Sequence, residues 1–461
     1  MHINLRRALA SATAAALAGG LLSLSAGSAA TAAPAEEGMP SSGTGKSPRY
    51  ADDFNGDGYR DYAVPRYPGF SVTYGTAKGP GTKTRHIDQN SPGIPGKTSV
   101  PEEENEAFGK TLATADLNGD GYADLAVGDS TETLGGLEQR GAVTIVWGSK
   151  TGLGDKATLV PLKNGRARQH VGISLTAGDF NGDAKPDLAV GDIDSVHIVR
   201  GSFSSSKGTT GPVTRHTVGG GKTLLPRWLA AGKVTGDKTD DLYVIGASEV
   251  WFLQGGKTVT SRGTTTYTKS DESNYYPRGV VADFDRNGYG ELAIAHPVPN
   301  RNAGTVVVLR GGASGPKGQY TITQSTAGVA TGESTADQFG NVISAGDVNR
   351  DTYPDLAVTA PGEKVSGHRS AGGVHLLSGG KGGLTGAKSQ WFTRDTAGVP
   401  GKAKAWGGFG TYARLLDADR DGDADLFVSE TEETSLLLPG GKSGITAKGH
   451  RDVPVTANFV Q

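Results

Sequence analysis

The amino-acid sequence predicts an all-β protein, a seven-bladed β-propeller of four-stranded antiparallel blades. Three observations support this prediction. The 461 residues include 72 Gly and 22 Pro, which helix interiors tolerate poorly. An acidic nine-residue pattern returns along the chain at intervals of 50 to 70 residues. Short runs rich in Val and Ile, bounded by Gly and Asp, follow the copies of this pattern, as is typical of antiparallel strands.

The nine-residue pattern is clearest as Asp-x-Asn-Gly-Asp-Gly-Tyr-x-Asp, and each copy runs directly into an apolar segment. A degenerate copy, which begins at Lys233, brings the number of repeats to seven, and we number the units one to seven in chain order. Repeats of this length indicate stacked or radial supersecondary units. The six intact copies begin at Asp53, Asp116, Asp179, Asp283, Asp347 and Asp417.

Strand-like segments surround each loop in a regular order. In unit two, Phe108-Gly109 opens the segment before the loop, Asp124 to Gly128 follow it, and Val143 to Gly148 form an alternating run. A weaker fourth run follows in other units, for example at 320–323. Four strands in each of seven repeats favour a β-propeller. A parallel β-helix is the alternative, but it would need shorter and more uniform coils.

The Phe-Gly start, the acidic loop and the turn at Ala360-Pro361-Gly362 resemble FG-GAP repeats and the related VCBS type. Such repeats form the seven-bladed head of the integrin α-subunit, and the resemblance, to a secreted bacterial type, covers nearly all of 49–461. It is strong in units two, three and six. Unit four lacks both Phe-Gly and the acidic loop, and unit five has Pro277-Arg278-Gly279 in place of Phe-Gly. The resemblance implies a role in extracellular adhesion or recognition.

The acidic loops suit Ca²⁺, because this ion accepts roughly six to eight oxygen ligands in flexible geometry. Positions 1, 3 and 5 offer side-chain oxygens, position 7 a backbone carbonyl, and position 9 a carboxylate that also opens the next strand. Up to six structural Ca²⁺ ions are expected, each fixing a turn between the first and second strands of a blade. The alternative is a set of Asx-turns, in which the same side chains satisfy only the backbone.

Several units depart from the ideal pattern. Ala184 and Thr352 replace the glycine at position 6 of units three and six, and Glu291 replaces the last aspartate of unit five. Lys233 places a cation at the first ligand position of unit four, so that loop is expected to hold no metal. The predicted ligands are Asp53, Asn55, Asp57, Tyr59 and Asp61; Asp116, Asn118, Asp120, Tyr122 and Asp124; Asp179, Asn181, Asp183, Lys185 and Asp187; Asp283, Asp285, Asn287, Tyr289 and Glu291; Asp347, Asn349, Asp351, Tyr353 and Asp355; and Asp417, Asp419, Asp421, Asp423 and Asp425.

The amino terminus predicts export. Arg6 and Arg7 precede an apolar stretch that closes on the small residues 30–32, which is typical of a secretory signal peptide over 1–32. Residues 33–48 are rich in Pro, Gly, Ser and Glu and predict a disordered leader. The propeller is then expected over 49–461, in a secreted, extracellular protein with no membrane span. A membrane anchor at 1–32 is the rival reading, opposed by its Gly and Ser interruptions.

Composition narrows the functional classes. The absence of Cys excludes a disulfide framework and a thiol nucleophile, and a net charge of −2 predicts no nucleic-acid partner. Neither G-x-S-x-G nor H-E-x-x-H occurs, and His197 and His375 lie in alternating runs where packing is expected. We expect a monomeric adhesion or recognition module for a protein or glycan. The alternative is a secreted polysaccharide lyase or hydrolase, or a subunit of one, so enzymatic activity stays open.

A ligand is expected on the face opposite the metal loops, where the loops between second and third strands and between blades would lie. Trp228 and Trp406 are expected to pack between blades, and at least one of Tyr275 and Tyr276 to be exposed. The candidate surface comprises Arg66, Tyr67, 132–140, 296–301 and 363–369, together with those four aromatic residues.

Overall fold

Twenty-seven β-strands make up the regular structure of the residues that the computed structural model describes. These residues are 50–96, 107–154, 156–163, 165–205, 211–218, 226–268, 277–298, 303–430 and 434–460. The signal peptide and leader expected over 1–48 lie outside them. No helix in the described ranges is long and apolar enough to cross a membrane. The strands are β1 Tyr62–Pro65, β2 Phe70–Thr76, β3 Gly79–Ile87, β4 Thr111–Ala115, β5 Asp124–Asp129, β6 Ala142–Val146, β7 Ala157–Leu159, β8 Ser174–Gly178, β9 Asp187–Gly191, β10 Ser195–Val199, β11 Val213–Thr217, β12 Trp228–Gly232, β13 Asp241–Ile245, β14 Glu249–Gln254, β15 Thr260–Thr266, β16 Arg278–Ala282, β17 Glu291–His296, β18 Thr305–Leu309, β19 Gln319–Ile322, β20 Ile343–Gly346, β21 Asp355–Ala360, β22 Gly373–Ser378, β23 Thr385–Phe392, β24 Tyr412–Leu416, β25 Asp425–Ser429, β26 Ser435–Leu438 and β27 Arg451–Val453.

The strands form seven antiparallel sheets in chain order, one for each repeat, which confirms the seven-bladed propeller. Blade one contains β1 to β3, and each later blade contains four consecutive strands, from β4–β7 in blade two to β24–β27 in blade seven. Each sheet is a simple meander, because every strand pairs with its neighbours in sequence. In blade two, for example, Ala113 faces Ala126 and Ala126 faces Ile145.

Burial follows the order of the strands within a blade. β4, β5 and β6 of blade two are buried along their whole length, because neighbouring blades cover both faces of the sheet. The outermost strands β11 and β15 are instead almost wholly exposed and rich in Thr. Such polar edges do not favour pairing with another chain.

The core of the protein lies between blades. Seven large clusters of buried side chains each combine residues of two adjacent blades, one cluster for every interface in the ring. The cluster between blades two and three, for example, joins Ile145 and Trp147 to Leu188 and Val190. Each blade therefore buries both of its faces only when both neighbours are in place.

Polar side chains of the innermost strands add hydrogen bonds from one blade to the next. Each of these side chains bonds to the backbone at the innermost segment of the next blade: it donates to a carbonyl there, or it accepts from an N–H. The bonds are Thr111 Oγ1 to Gly172 O (2.6 Å), Ser174 Oγ to Pro226 O (2.9 Å), Trp228 Nε1 to Gly279 O (2.8 Å), Leu415 N to Ser344 Oγ (2.9 Å) and Arg414 Nε to Phe459 O (3.1 Å).

Blade one is completed in a way that the repeat pattern does not indicate. Its own sheet has three strands in the described ranges, and the N–H of Val460 donates to the carbonyl of Ala63 in β1. Beside it, the Phe459 ring packs edge-on against Tyr62, with centroids 5.1 Å apart, and against Phe427, at 5.0 Å. Residues 457–460 thus join blade seven to blade one and close the ring.

Candidate functional site

The acidic loops occupy the position that the sequence predicts, between the first and second strands of a blade. In blades two to seven the loop fills the interval between these strands, for example between Ala115 at the end of β4 and Asp124 at the start of β5. In blade one it directly precedes β1. All six intact loops have the same internal geometry.

Loop seven shows this geometry. The Asp417 carboxylate accepts from the N–H groups of Arg420 (2.8 Å) and Gly422 (3.2 Å). Asp419 Oδ1 accepts from the N–H of Asp421 (3.3 Å), whose own Oδ1 accepts from Asp423 (2.9 Å). These are Asx-turns, so the alternative reading of the loop is present in the structure. Each carboxylate oxygen has a further lone pair, so the turns do not prevent cation binding.

The same contacts recur around the ring. In every intact loop, position 1 accepts from the N–H of position 6, position 3 from position 5, and position 5 from position 7. The N–H groups of position 7, which donate to position 5, belong to Tyr59, Tyr122, Lys185, Tyr289, Tyr353 and Asp423. The N–H groups of position 6, which donate to position 1, belong to Gly58, Gly121, Ala184, Gly288, Thr352 and Gly422. The N–H groups of position 5, which donate to position 3, belong to Asp57, Asp120, Asp183, Asn287, Asp351 and Asp421.

The ninth residue of each loop is a buried acid that connects two parts of the blade. In blade two, Asp124 Oδ2 accepts from the N–H of Leu117 and Oδ1 from the N–H of Gly148, both at 2.9 Å. Asp61, Asp355 and Asp425 accept an equivalent pair. The ninth acid therefore fixes the loop to the end of the third strand, whether or not a cation is bound.

Units three and five differ at this acid. Asp187 accepts from the N–H of Gly201 (2.6 Å) and forms an ion pair with Arg200 (3.1 Å), so unit three supplies a counter-charge of its own. Glu291 accepts from the N–H of Phe284 (2.8 Å), but its buried Oε1 has no hydrogen-bond partner. In unit five a buried acceptor is thus left for another donor or a cation.

Burial raises the pKa of these carboxyl groups. Desolvation, opposed by backbone hydrogen bonds and increased by nearby acids, brings the pKa of Asp61 and of Glu291 to about 8. The pKa values of Asp355 and Asp425 are raised to about 7 for the same main reason. Burial also raises the pKa of the first acid in four loops, namely Asp53, Asp116, Asp283 and Asp417. Ionisation of these buried acids is therefore unfavourable. Part of the charge of two loops is already offset, because Arg310 lies 3.8 Å from Asp285 in loop five and Arg350 pairs with Asp423 in loop seven (3.0 Å).

Loops five and seven bring three carboxylates together. Oxygens of Asp283, Asp285 and Glu291 lie within 4.8 Å of one another. The equivalent residues of loop seven, Asp417, Asp419 and Asp425, do so as well. These two loops have Asp at position 3, where the other intact loops have the neutral amides of Asn55, Asn118, Asn181 and Asn349.

The degenerate loop of unit four replaces the acids with internal donors. Lys233 Nζ donates to the carbonyl of Lys238 (2.8 Å) and pairs with Asp240 (3.0 Å). The ninth acid, Asp241, accepts from both the N–H and the hydroxyl of Thr235, each at 2.8 Å. An ammonium group thus provides positive charge within this loop.

Neighbouring loops are also hydrogen-bonded to each other. The N–H of Ala123 in loop two donates to the carbonyl of Asp53 in loop one (2.9 Å), and Ala424 donates in the same way to Asp347 (2.8 Å). Beside loop seven lies a cavity of about 320 Å³, lined by Lys78, Asp419, Asp425, Leu437, Pro439, Gly449 and Arg451. Loops three, four and five are linked in series, because Asp240 donates to the carbonyl of Asp179 and Gly290 to that of Lys233, both at 2.8 Å.

The aromatic residues expected on the opposite face have different surroundings. Trp228 is buried, as expected, and its indole N–H donates to Gly279 O. Trp406 is 67% exposed, so the expectation that it packs between blades is wrong. Its backbone turn carries the indole outwards, with φ at +60°. Tyr67 is 52% exposed, and Tyr275 and Tyr276 lie outside the described residues.

His197 and His375, which the sequence places in alternating runs, are packed, as expected. His197 is buried, and its Nε2 lies 3.0 Å from Asp192 Oδ2. His375 stacks on Trp391 with ring centroids 4.1 Å apart, and burial lowers its pKa to about 3. Neither side chain is available to act as a base at the surface.

Sequence reasoning missed a set of polar contacts between blades. Gln89 Nε2 donates to Glu132 (2.8 Å), and Gln324 Nε2 donates to Glu363. Arg394 pairs with Glu430 in a comparable position (2.6 Å). A signal exists in the three segments that follow a fourth strand, Asp88-Gln-Asn-Ser, Thr323-Gln-Ser-Thr and Thr393-Arg-Asp-Thr. In each segment, the side-chain hydroxyl of the fourth residue accepts from the backbone N–H of the first. This turn orients the second residue, Gln or Arg, so that its side chain reaches the next blade.

A ring of seven sheets, six of which carry the same acidic loop at the equivalent place, defines a repeat-built β-propeller. Residues 339–377 match the FG-GAP repeat, and residues 116–190 match the FG-GAP-like repeat. The chain is a seven-bladed β-propeller that contains FG-GAP repeats in these two segments and resembles the head of the integrin α-subunit.

Known proteins share parts of this sequence. Integrin alpha-PS2 of Drosophila melanogaster is 27% identical over 222 residues, which cover 41% of this chain and 15% of that protein. Phosphatidylinositol-glycan-specific phospholipase D of Bos taurus is 32% identical over 150 residues, or 30% of this chain and 17% of that protein. The chain thus spans less than a fifth of the length of these relatives. A solved Agrocybe aegerita lectin, described as recognising non-reducing terminal N-acetylglucosamine, is 18% identical with a TM-score of 0.46, covering 74% of this chain and 79% of the lectin.

Proposed function

We propose that this protein is a secreted, calcium-stabilised β-propeller that acts as an extracellular recognition module. The observation that carries the calcium assignment is the contrast between seven equivalent loops. Six of them have side chains with oxygen atoms at positions 1, 3, 5 and 9. The loop of unit four instead has the ammonium group of Lys233 at position 1. A requirement for positive charge at this position explains both arrangements.

The donor set fits a hard divalent cation. Carboxylate, amide and backbone carbonyl oxygens are the ligands that Ca²⁺ accepts, and its flexible geometry tolerates the mixture of Asp and Asn at position 3. Calcium would also relieve the repulsion among carboxylates that share one loop. Loops five and seven support the proposal most directly, because three carboxylates converge there and Glu291 Oε1 has no partner.

The role of the ion in this proposal is structural. The ninth acid already connects its loop to the end of the third strand, and the cation would hold the first half of the loop against that acid. In unit three the Arg200–Asp187 pair supplies part of this charge, so we expect the bound ion to contribute less there. The proposed ligands are the thirty residues predicted from the sequence, with position 7 contributing its backbone carbonyl.

The recognition role rests on the FG-GAP likeness and on the surface opposite the metal loops. Proteins built on rigid scaffolds usually bind through displayed loops. The inter-blade loop at 401–408 displays an exposed Trp406 on such a scaffold. Export is proposed from the signal-peptide pattern of residues 1–32. The ligand is proposed to be a protein or a glycan, bound by a monomer.

Calcium removal tests the metal assignment. The purified protein is stripped with EDTA, exchanged into verified metal-free buffer and melted with and without added Ca²⁺, with Mg²⁺ as the control ion. We expect a large fall in melting temperature that Ca²⁺ restores and Mg²⁺ does not, because Mg²⁺ demands near-ideal octahedral geometry. Native mass spectrometry then counts the bound ions. An unchanged melting curve in metal-free buffer would overturn the assignment.

A further inference from the structure

Trp406 is presented to solvent by a backbone that is held in place. Its N–H donates to the carbonyl of Arg369 (2.9 Å). The following residues Gly408 and Phe409 donate to Ser370 (3.0 Å) and Ala371 (2.9 Å). Three consecutive contacts thus join the loop at 401–408 to the loop at 363–371. A small apolar cluster of Val365, Ala371 and Ala403 lies beneath them.

The exposure of Trp406 also has an energetic cost. Its φ of +60° lies in the left-handed region, which is unfavourable for a residue other than glycine. Large hydrophobic side chains that are exposed in the described ranges are few, namely Tyr67, Val213 and Trp406. An aromatic ring held outwards on a strained but ordered turn is what a preformed binding site requires.

The surroundings of this ring are basic. The Arg369 guanidinium lies 4.6 Å from the indole centroid. Lys364, Lys402 and Lys404 are exposed on the same two loops. Two acids lie nearby. Glu363 is buried against Gln324. Asp395 accepts from the N–H of Ala403 (3.0 Å) on the same loop and interacts with the charge of Lys402, so it offsets part of that charge.

We propose that Trp406 and Arg369, with Lys402 and Lys404, form a binding site for an acidic glycan, a polysaccharide whose sugars carry carboxylate or sulfate groups. This inference rests on the recognition role proposed above and names its ligand class. The apolar face of a sugar ring would lie on the indole. Its carboxylate or sulfate would pair with the planar fork of Arg369, which suits bidentate anion binding. A single ring without an apolar surround fits one sugar better than a hydrophobic protein interface, whose buried core is rich in apolar and aromatic residues.

The test is binding of two acidic glycans, chondroitin sulfate and oligogalacturonate, to calcium-loaded protein by titration calorimetry. Dextran is the neutral control and poly-glutamate the acidic peptide control. We expect at least one acidic glycan to bind, with affinity that falls as salt is raised. Trp406→Ala and Arg369→Ala should each weaken binding about tenfold or more, which corresponds to about 1.4 kcal/mol. Trp406→Phe should keep most of the affinity, and Val213→Ala, at an exposed apolar residue of the outer strand β11, should change nothing.

Each contrary result has a defined meaning. Unaltered binding by Trp406→Ala overturns the site, as does the absence of binding to both acidic glycans. Equal binding of dextran overturns the role of the charges, and equal binding of poly-glutamate overturns the role of the sugar. The melting temperature of every variant is measured with and without EDTA. A calcium response that persists while glycan binding fails separates failure of this inference from failure of the proposed calcium-stabilised module.

Discussion

The Nε of Arg414 in β24 donates a hydrogen bond to the backbone carbonyl of Phe459 over 3.1 Å, and this bond ties blade seven to the segment that completes blade one. The guanidinium also donates to the carbonyl of Ala413 (3.1 Å). Burial, with repulsion from Arg278, lowers the pKa of Arg414 to about 9. A buried cation at this point indicates that ring closure depends on a few specific contacts.

Phe459→Ala tests the closure. The side chain is fully buried against Tyr62 and Phe427, so its loss should lower the free energy of unfolding by about 3–5 kcal/mol. Urea denaturation followed by tryptophan fluorescence measures the change. Val213→Ala, at an exposed position of the outer strand β11, is the control and should have little effect. A Phe459→Ala protein as stable as the parent would show that residues 457–460 do not hold the ring together.

Asp417→Asn separates calcium binding from simple turn formation. The amide keeps one acceptor for the loop backbone but loses the charge at position 1 of loop seven. We expect one fewer bound Ca²⁺ by native mass spectrometry. The calcium-linked stabilisation lost is about 2.7 kcal/mol at a free Ca²⁺ concentration of about a hundred times the Kd. In EDTA the variant lacks only one backbone hydrogen bond of the parent, so the two melting temperatures should differ much less than they do with Ca²⁺.

Loop four provides the matched control for this experiment. Asp237 occupies position 5 there and accepts from the N–H of Thr239 (2.8 Å), but Lys233 supplies the positive charge. Asp237→Asn should therefore leave the number of bound ions unchanged. If Asp417→Asn destabilises the protein equally with and without EDTA, the loop is an Asx-turn and the calcium assignment for loop seven is wrong.

Glu363 predicts a pH dependence of stability that does not involve the metal loops. Burial, increased by the nearby charge of Asp337, raises the pKa of Glu363 from 4.5 to about 7. The folded protein therefore holds a proton that the unfolded chain has lost. This contribution to stability is fully present below pH 4.5 and is lost as the pH rises through about 7.

The variant Glu363→Gln mimics the protonated acid at every pH. At saturating Ca²⁺ we expect it to match the parent at pH 5 and to be more stable than the parent at pH 8, by urea denaturation. Glu138→Gln makes the same chemical change at an exposed site, with a side chain 65% exposed, and should not alter the pH profile. Parallel profiles for Glu363→Gln and the parent would contradict the assignment.

Thr352 predicts a gain in stability on substitution. This β-branched residue has φ at +75° at position 6 of loop six, where four of the other five intact loops have glycine. Relief of the left-handed strain in Thr352→Gly should raise the free energy of unfolding by about 1 kcal/mol or less, because glycine also adds freedom to the unfolded chain. The reverse change, Gly121→Thr in loop two, should be destabilising. Thermal melts at saturating Ca²⁺ compare the two, and a loss of stability in Thr352→Gly would show that this threonine is not strained.

The blades were predictable because their signals are local. Each acidic loop and the Asp-Leu-Ala-Val type of strand after it lie next to each other in sequence, and the same pairing recurs in the other units. The loop oxygens follow from the same spacing. By contrast, the addition of residues 457–460 to blade one depends on contacts across almost the whole chain, which no local pattern contains.

The opposite face was less predictable for a similar reason. Trp228 and Trp406 look equivalent as aromatic residues between blades, yet one is buried and the other exposed. The difference comes from a left-handed backbone turn and from hydrogen bonds to a loop some forty residues earlier. The turn segments that contain Gln89 and Gln324 can be recognised in the sequence, but the glutamates that these side chains contact lie in the next blade.

Because each of the seven large apolar clusters is shared by two blades, the order in which the chain becomes available matters for folding. Blade one cannot be completed until residues 457–460 are present, and until then the inner edge of β1 and one face of its sheet stay open to other chains. The residues that finally meet across this junction are far apart in sequence, such as Lys78 and Arg451, separated by 373 positions. Contacts of such range slow folding, so a newly synthesised chain has a period in which it is most exposed to aggregation and proteolysis. Early binding of the proposed calcium ions by the first loops would stabilise individual blades during that interval, before the last segment of the chain closes the ring.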